Sequence, residues 1–180
     1  MLRIIGRKAT LVGLGLVAML FFAGAAAFEL KVGDKAPEFS LEASDGKTYT
    51  LEQFKGKSAV VVAWFPKAFT GGCTKECKSL RENSKALKDL KIAYFTASVD
   101  TADQNTKFAK SLDLDYPILS DPDKSVAKAY GVLNATRGVT HRWTFYIDKE
   151  GVIKAIDKEI KVDKAGADVA AKVKDLGLAD

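Results

Sequence analysis

The two cysteines of the chain, Cys73 and Cys77, lie four residues apart where a predicted strand meets a predicted helix. The apolar run over residues 59–63 indicates a buried strand, and the leucines within residues 77–90 form the apolar stripe of a helix. The amide groups and the dipole at a helix N-terminus favour the thiolate, which is the nucleophilic form of cysteine. Residues 64–77 are therefore the candidate active site.

Two cysteines at this spacing do not form a structural disulfide framework. A bridge that closes so short a loop constrains the unfolded chain very little, so it would add little stability. Redox chemistry and metal binding are the remaining roles for such a pair. The composition excludes a further class of function, because charges of both signs are spread along the chain and no basic cluster with interleaved aromatic residues predicts nucleic-acid binding.

The first 27 residues predict an export signal. The basic start contains Arg3, Arg7 and Lys8. An apolar run over residues 11–22 follows, and residues 23–27 are small residues of the Ala-x-Ala kind. We expect cleavage after Ala27, which leaves residues 28–180 as the mature domain. The alternative is an uncleaved membrane anchor over residues 9–28, about the length of a bilayer span. Both alternatives place the domain in the periplasm or another extracytoplasmic compartment, where disulfides persist.

The order of predicted elements after the leader indicates an α/β protein with a thioredoxin-like fold. We expect a central mixed sheet flanked by helices, with an N-terminal β-hairpin around Asp45-Gly46. The predicted elements are, in order, strands 38–42, 47–51 and 58–65, helix 77–90, strand 91–99, helix 101–112, strand 116–119, helix 121–130, strands 142–148 and 152–157, and helix 162–176. A strand–helix–strand unit of this kind brings functional groups to one edge of the sheet.

A motif in the candidate site resembles that of a known family. Pro66, Thr70 and Cys73 form the pattern Pro-x-x-x-Thr-x-x-Cys, and Arg142 stands just before a Thr-Phe-x-Ile-Asp strand. With these residues in register, the chain is similar to the peroxiredoxins over about residues 31–177. It most closely resembles the bacterioferritin-comigratory-protein type, also called the Q type.

The resemblance implies a thiol-dependent peroxidase that reduces hydrogen peroxide or organic hydroperoxides without a metal or an organic cofactor. Carried over by position, Cys73 is the peroxidatic nucleophile, and Thr70 donates a hydroxyl to the thiolate or the peroxide. Pro66 shields the thiolate from water, and Arg142 stabilises the charge that develops as the O–O bond breaks. Glu76 matches a glutamate of the Q type and is expected to orient Arg142.

Cys77 is the internal candidate for the resolving thiol, which condenses with the sulfenic acid left on Cys73. Members of the Q type with a nearby resolving cysteine usually place it five residues on, whereas here the spacing is four. Four residues place both thiols on one helix face with about 6 Å of rise, and helical Cβ atoms lie about 5–6 Å apart where a disulfide needs about 3.8 Å. We expect the first helical turn to loosen on oxidation, but less than with five-residue spacing. The alternative is resolution by an external thiol.

The partners implied by the resemblance are a peroxide and a thioredoxin-like protein or a small thiol as reductant. The family also implies a monomer or a weak dimer, and membrane contact follows only if the leader stays uncleaved. A rival hypothesis is an exported copper chaperone or thiol–disulfide protein of the Sco kind, in which Cys73, Cys77 and the only histidine, His141, supply a soft metal site. The proline, threonine and arginine of the motif have no role in such a site, so the peroxidase is favoured.

Overall fold

The structure is a computed structural model that describes residues 29–179. The predicted leader, residues 1–27, and its predicted cleavage site lie outside the described residues. Within residues 29–179, no helix has both the length and the apolar character needed to cross a membrane.

A mixed β-sheet lies at the centre of the described part of the chain. The strands are, in chain order, β1 (Ser40–Ala43), β2 (Thr48–Thr50), β3 (Val60–Trp64), β4 (Ala93–Ser98), β5 (Ile118–Ser120), β6 (Leu133–Asn134), β7 (Val139–Thr140), β8 (Thr144–Ile147) and β9 (Ile153–Asp157). Seven of them form the sheet in the order β2-β1-β5-β4-β3-β8-β9, while β6 and β7 pair separately. The pairs β3·β4 and β4·β5 are parallel, and the other pairs in the large sheet are antiparallel.

Helices cover both faces of this sheet. They are α1 (Gly71–Glu82), α2 (Ser84–Asp89), α3 (Ala102–Ser111), α4 (Ser125–Ala129) and α5 (Ala165–Asp175), with a short 3-10 helix at Glu52–Phe54. All five residues of β3 are buried, as expected for a strand covered on both faces. The architecture confirms the predicted thioredoxin-like α/β fold with an N-terminal hairpin.

The alternation of side chains along β3 divides the core into two layers. Val60, Val62 and Trp64 pack into one apolar cluster that includes Val126 and Ala127 of α4. The intervening β3 side chains face a second cluster with apolar residues of α1, α2 and α5, namely Val61 and Ala63 with Leu80, Leu87, Val169, Ala170 and Val173. This period of two is the expected pleat of a strand, and it fixes α1 against the sheet.

The helix after β3 differs in its bounds from the predicted helix 77–90. It begins earlier, at Gly71, because Thr70 is extended (φ −100°, ψ 152°) and serves as the N-cap, whereas the apolar stripe that marked the helix starts later in the sequence. It is also interrupted at Asn83, whose backbone and side-chain N–H groups both donate to the Ser79 carbonyl. Such local side-chain bonding competes with regular helix. The small β6·β7 hairpin was not predicted, since two-residue strands carry almost no periodic signal.

The contact between α1 and α5 requires a glycine. A Cβ atom on Gly166 would lie 2.2 Å from the Ser79 carbonyl oxygen and 2.9 Å from Asn83 Cβ. Ser79 also caps α5, because its hydroxyl accepts a hydrogen bond from the Gly166 amide at 3.1 Å. Gly166 is therefore the point at which α5 approaches the helix that carries both cysteines.

Replacing Gly166 with alanine should lower the free energy of unfolding by about 1–3 kcal/mol, the usual cost of overpacking a close contact. Thermal or urea unfolding of the reduced protein measures the change. Gly71→Ala is the matched control, because it is also a helical glycine and a Cβ there would meet open space. The close contact would be irrelevant to stability if both variants unfolded at the same midpoint.

Candidate active site

The loop between β3 and α1 is held by a buried carboxylate. Asp100 Oδ2 accepts the Ala68 amide at 2.8 Å and the Ser98 hydroxyl at 3.0 Å. Asn105 extends this network, since its side-chain amide donates to the hydroxyl oxygens of Ser98 and Ser120. The ends of β4 and β5 therefore fix the backbone of the loop that carries the motif.

The same loop contains a strained aromatic residue. Phe69 has a positive φ of 61°, which is unusual for a bulky side chain, and its side chain is 55% exposed. Its ring lies 5.0 Å from the ring of Phe108. Phe108 belongs to a buried apolar cluster that also contains Cys73 and Cys77. The surroundings of the two thiols are thus apolar and continue to the surface through Phe69.

Pro66 and Thr70 lie on either side of this turn. Pro66 is half-buried and follows β3 after a single residue. The hydroxyl of Thr70 donates to the Lys67 carbonyl at 2.9 Å, and it accepts no hydrogen bond from an amide of α1. In this arrangement Thr70 closes the loop, and donation of its hydroxyl to Cys73 or a peroxide requires the hydrogen bond to the Lys67 carbonyl to break. The first amides of α1 are left without a side-chain cap from Thr70.

Cys73 is the third residue of α1 and is completely buried. Its Sγ accepts a hydrogen bond of 3.3 Å from Nη2 of Arg142, 69 residues later in the chain. The sheet register explains this contact, because Ala63 pairs with Thr144 and the Trp64 amide donates to the Trp143 carbonyl at 2.8 Å. The antiparallel pairing of β3 and β8 therefore places Arg142 beside the start of α1.

Glu76 occupies the helix face that carries Cys73, one turn further on, so a single guanidinium can reach both. Nη1 of Arg142 donates to Glu76 Oε2, and the carboxyl group is fully buried. Burial raises the pKa of Glu76 to about 7, although the charge and the hydrogen bond of Arg142 lower it. The absence of a side chain on Gly72 leaves room for the guanidinium, since a Cβ atom there would lie 3.2 Å from Arg142 Nη2. Arg142 thus bridges a buried thiol and a buried carboxyl group.

Cys77 is also completely buried, and both thiols are free. Burial and then the negative charge of Glu76 raise the pKa of the Cys77 thiol to about 12. Its carbonyl accepts a hydrogen bond of 3.0 Å from the Tyr116 hydroxyl, which ties this turn of α1 to the strand region before β5. In the reduced structure, Cys77 is thus a protonated, inaccessible thiol.

The copper hypothesis finds no support in the structure. Residues 29–179 contain no group of three or more His, Cys, Asp or Glu side chains placed to hold a metal ion. His141 is exposed and its ring stacks on Trp143, with centroids 5.4 Å apart. The group that contacts the Cys73 sulfur is instead the cationic guanidinium of Arg142, whose Nη2 lies 3.3 Å away.

The structure brings the predicted residues Cys73, Glu76 and Arg142 into contact, and three residues that the sequence did not single out support this arrangement. Asp100 anchors the loop, Tyr116 ties down the turn that carries Cys77, and Gly72 makes room for the guanidinium. Asp100 had one detectable signal, an acidic residue at the carboxyl end of a core strand adjacent to the active-site strand. Tyr116 and Gly72 carried none, because their roles depend on distances between elements.

Comparisons with known proteins agree with this geometry. Residues 32–156 match the AhpC/TSA family. The chain is 36% identical over 138 residues to peroxiredoxin Bcp of Escherichia coli K12, covering 73% of this chain and 88% of the relative. It is 34% identical over 127 residues to alkyl hydroperoxide reductase E of Mycobacterium tuberculosis H37Rv, covering 69% of this chain and 83% of the relative.

Among solved structures, the crystal structure of peroxidoxin BcpB from Mycobacterium tuberculosis is similar to this fold. It superposes with a TM-score of 0.75 at 28% identity, over 82% of this chain and 98% of that protein. Family match, relatives and fold lead to one assignment. The chain belongs to the AhpC/TSA family and is a peroxiredoxin of the bacterioferritin-comigratory-protein type, a thiol-dependent peroxidase.

Proposed function

We propose that Cys73 is the nucleophile with which this peroxiredoxin reduces hydrogen peroxide and organic hydroperoxides. The observation that carries the proposal is the hydrogen bond from Arg142 to the buried Sγ of Cys73 at the start of α1. A fixed positive charge and free helix amides favour a thiolate and stabilise the oxygen that leaves. The organic substrates are supported by the apolar surroundings of Cys73 and by the name of the mycobacterial alkyl hydroperoxide reductase.

The first step transfers one oxygen atom to sulfur. The Cys73 thiolate attacks the terminal oxygen of ROOH, the S–O bond forms and the O–O bond breaks. Cysteine is oxidised to the sulfenic acid, and RO⁻ takes up a proton to leave as the alcohol, or as water from hydrogen peroxide. Arg142 acts on this step because its guanidinium faces the sulfur at which the new bond forms. Pro66 and the anchored loop keep the reacting sulfur in apolar surroundings.

In the second step, Cys77 resolves the sulfenic acid. Its thiol sulfur bonds to Cys73, the S–O bond breaks, and the thiol proton leaves with the hydroxide as water. Since burial keeps Cys77 protonated and inaccessible, this step requires the first turns of α1 to loosen and release the Tyr116–Cys77 contact. A thioredoxin-like protein or a small thiol then reduces the disulfide and returns both thiols.

Mass spectrometry after one equivalent of peroxide distinguishes the possible products. The wild-type chain should lose two hydrogens as the Cys73–Cys77 disulfide forms, whereas Cys77→Ser should stop at the sulfenic acid, which gains one oxygen. Amide hydrogen exchange should increase within residues 71–80 on oxidation. A mixed disulfide with an added thiol in the wild type, together with unchanged exchange in this segment, would show that an external thiol resolves Cys73.

The location and the assembly of the protein are proposed from the sequence. The basic start, apolar run and small residues before Ala27 support export to an extracytoplasmic compartment, with residues 28–180 as the working domain and an anchor over residues 9–28 as the alternative. The family resemblance supports a monomer or a weak dimer. N-terminal sequencing of the protein recovered from its host compartment tests cleavage after Ala27.

A further inference from the structure

The second oxygen of Glu76 is buried and unsatisfied. Oε2 pairs with Arg142, but Oε1 has no hydrogen-bond partner among the described residues, although the side chain is fully buried. A buried carboxylate oxygen without a donor costs considerable free energy, so such an atom generally faces a bound water or another ligand. The arrangement therefore points to a group that the chain itself does not supply.

Glu76 is one of the residues that line a cavity of about 40 Å³. Glu76, Thr144, Tyr146 and Asp157 line its polar part, and its lining continues to the exposed residues Glu159 and Lys161. The volume exceeds the roughly 10–15 Å³ that one water needs. The Tyr146 hydroxyl donates to Asp157 Oδ2 at 3.1 Å, so its oxygen can still accept a hydrogen bond from a water. Cys73 is not part of this lining.

We propose that this cavity holds ordered water that hydrogen-bonds to Glu76 Oε1 and exchanges its proton with solvent, making Glu76 an acid–base switch for Arg142. The inference rests on the proposed role of Cys73 and adds a control of that site. With Glu76 ionised, the guanidinium charge is divided between a carboxylate and the sulfur. With Glu76 neutral, the full charge acts on the Cys73 thiolate and on the breaking O–O bond.

The direction of the pH effect follows from the charges that face Glu76. Arg142 is the cation in direct contact with Glu76. The titratable groups on the thiol side are Cys73, Cys77 and Tyr116. Those around the cavity are Tyr146, Asp157, Glu159, Lys161 and Asp168. Burial sets the pKa of Glu76 near 7. Glu76 is thus protonated below pH 7 and ionised above it. The rate of peroxide attack per Cys73 thiolate should therefore fall as the pH rises through 7.

The test compares wild type with Glu76→Gln, which is always neutral and keeps an oxygen for Arg142. Stopped-flow measurement of Cys73 oxidation by tert-butyl hydroperoxide, divided by the thiolate fraction from its ultraviolet absorbance, gives the rate per thiolate. In wild type, we expect the rate per thiolate to fall about tenfold between pH values well below and well above 7. Tenfold is the effect expected if the charge on Glu76 changes the interaction at the reacting sulfur by about one pK unit. Glu76→Gln should show no such fall and should exceed wild type at high pH.

If the Glu76 side chain only orients Arg142, the rate per thiolate should show no fall through pH 7 in wild type, and wild type and Glu76→Gln should differ at most by a factor that is the same at every pH. That outcome would overturn the switch while leaving the peroxidase intact, since wild type would still oxidise Cys73. Failure of the proposed function itself would instead appear as an absence of Cys73 oxidation in wild type at every pH. The two failures are therefore distinguishable in one experiment.

The water route has its own test in Thr144→Val/Tyr146→Phe, which removes both hydroxyls that line the cavity. Infrared difference spectroscopy of the Glu76 carboxyl stretch after transfer to D₂O should show proton exchange slowed about tenfold, because the water loses hydrogen bonds. The matched control is Tyr94→Phe, which also removes a buried tyrosine hydroxyl. Tyr94 does not line the cavity, and its hydroxyl has no hydrogen-bond partner among the described residues. Equal exchange rates in the double variant and the control would overturn the route.

Discussion

Replacing Cys73 with serine should abolish peroxide reduction. The serine hydroxyl fits the buried site and keeps Arg142 Nη2 as a partner, so the fold is expected to persist. It cannot form a nucleophilic anion near neutral pH or carry the oxygen atom as a sulfenic acid. The assay follows the rate at which hydrogen peroxide or tert-butyl hydroperoxide is consumed, with dithiothreitol as reductant. In Cys73→Ser this rate should equal the rate measured without enzyme.

Cys77→Ser is the matched control for this variant, because it changes the other buried thiol of the same helix. It should consume one equivalent of peroxide in a first turnover and accumulate a sulfenic acid that a 1,3-diketone probe traps. The assignment of the two cysteines would be reversed if Cys73→Ser gave this burst and Cys77→Ser did not.

Replacing Arg142 with alanine should lower the second-order rate of Cys73 oxidation by about 10²–10³, the usual effect of removing one donor to a developing oxyanion. Arg142→Lys should be intermediate, since a single ammonium keeps the charge but cannot donate from two nitrogens to Cys73 and Glu76 at fixed geometry. Single-turnover stopped flow with the reduced protein measures both rates.

The loss of Arg142 also leaves Glu76 buried without its cation. Because Arg142 lowers the pKa of Glu76, its removal raises this pKa further, and the carboxyl group takes up a proton instead of remaining an unpaired charge. Arg142→Ala should therefore lose more stability than wild type as the pH rises from the usual carboxyl pKa through 7, which circular dichroism detects. Arg137→Ala, which removes an exposed arginine between β6 and β7, is the control for both the stability and the rate measurements. If Cys73 were oxidised in Arg142→Ala at a rate within twofold of this control, the role of Arg142 in peroxide attack would be contradicted.

The elements that sequence reasoning predicted well are those with strong local signals. The apolar run of β3, the Asp45-Gly46 hairpin and the strand pair β8·β9 all occur where they were expected. The early start of α1 was not visible, because two glycines and a threonine give little helical pattern. The interruption at Asn83 was equally hidden, since its cause is a side-chain hydrogen bond to Ser79.

The sequence by itself determined which residue types enter the candidate site. Pro66, Thr70, Cys73 and Glu76 lie within one loop and one helical turn, so their spacing alone settles their neighbourhood. Arg142 was identified only through its resemblance to a family motif, and its contact with Cys73 follows from the pairing of β3 with β8.

Only the tertiary structure decided how those residues are used. It showed that one guanidinium bridges Cys73 and Glu76, that Thr70 donates to its own loop, and that Glu76 lines a small cavity. These features depend on side-chain rotamers and on distances of a few ångströms between α1, α5 and β8. A linear pattern encodes which faces are apolar, but it does not encode the close approach of elements that are distant in the chain.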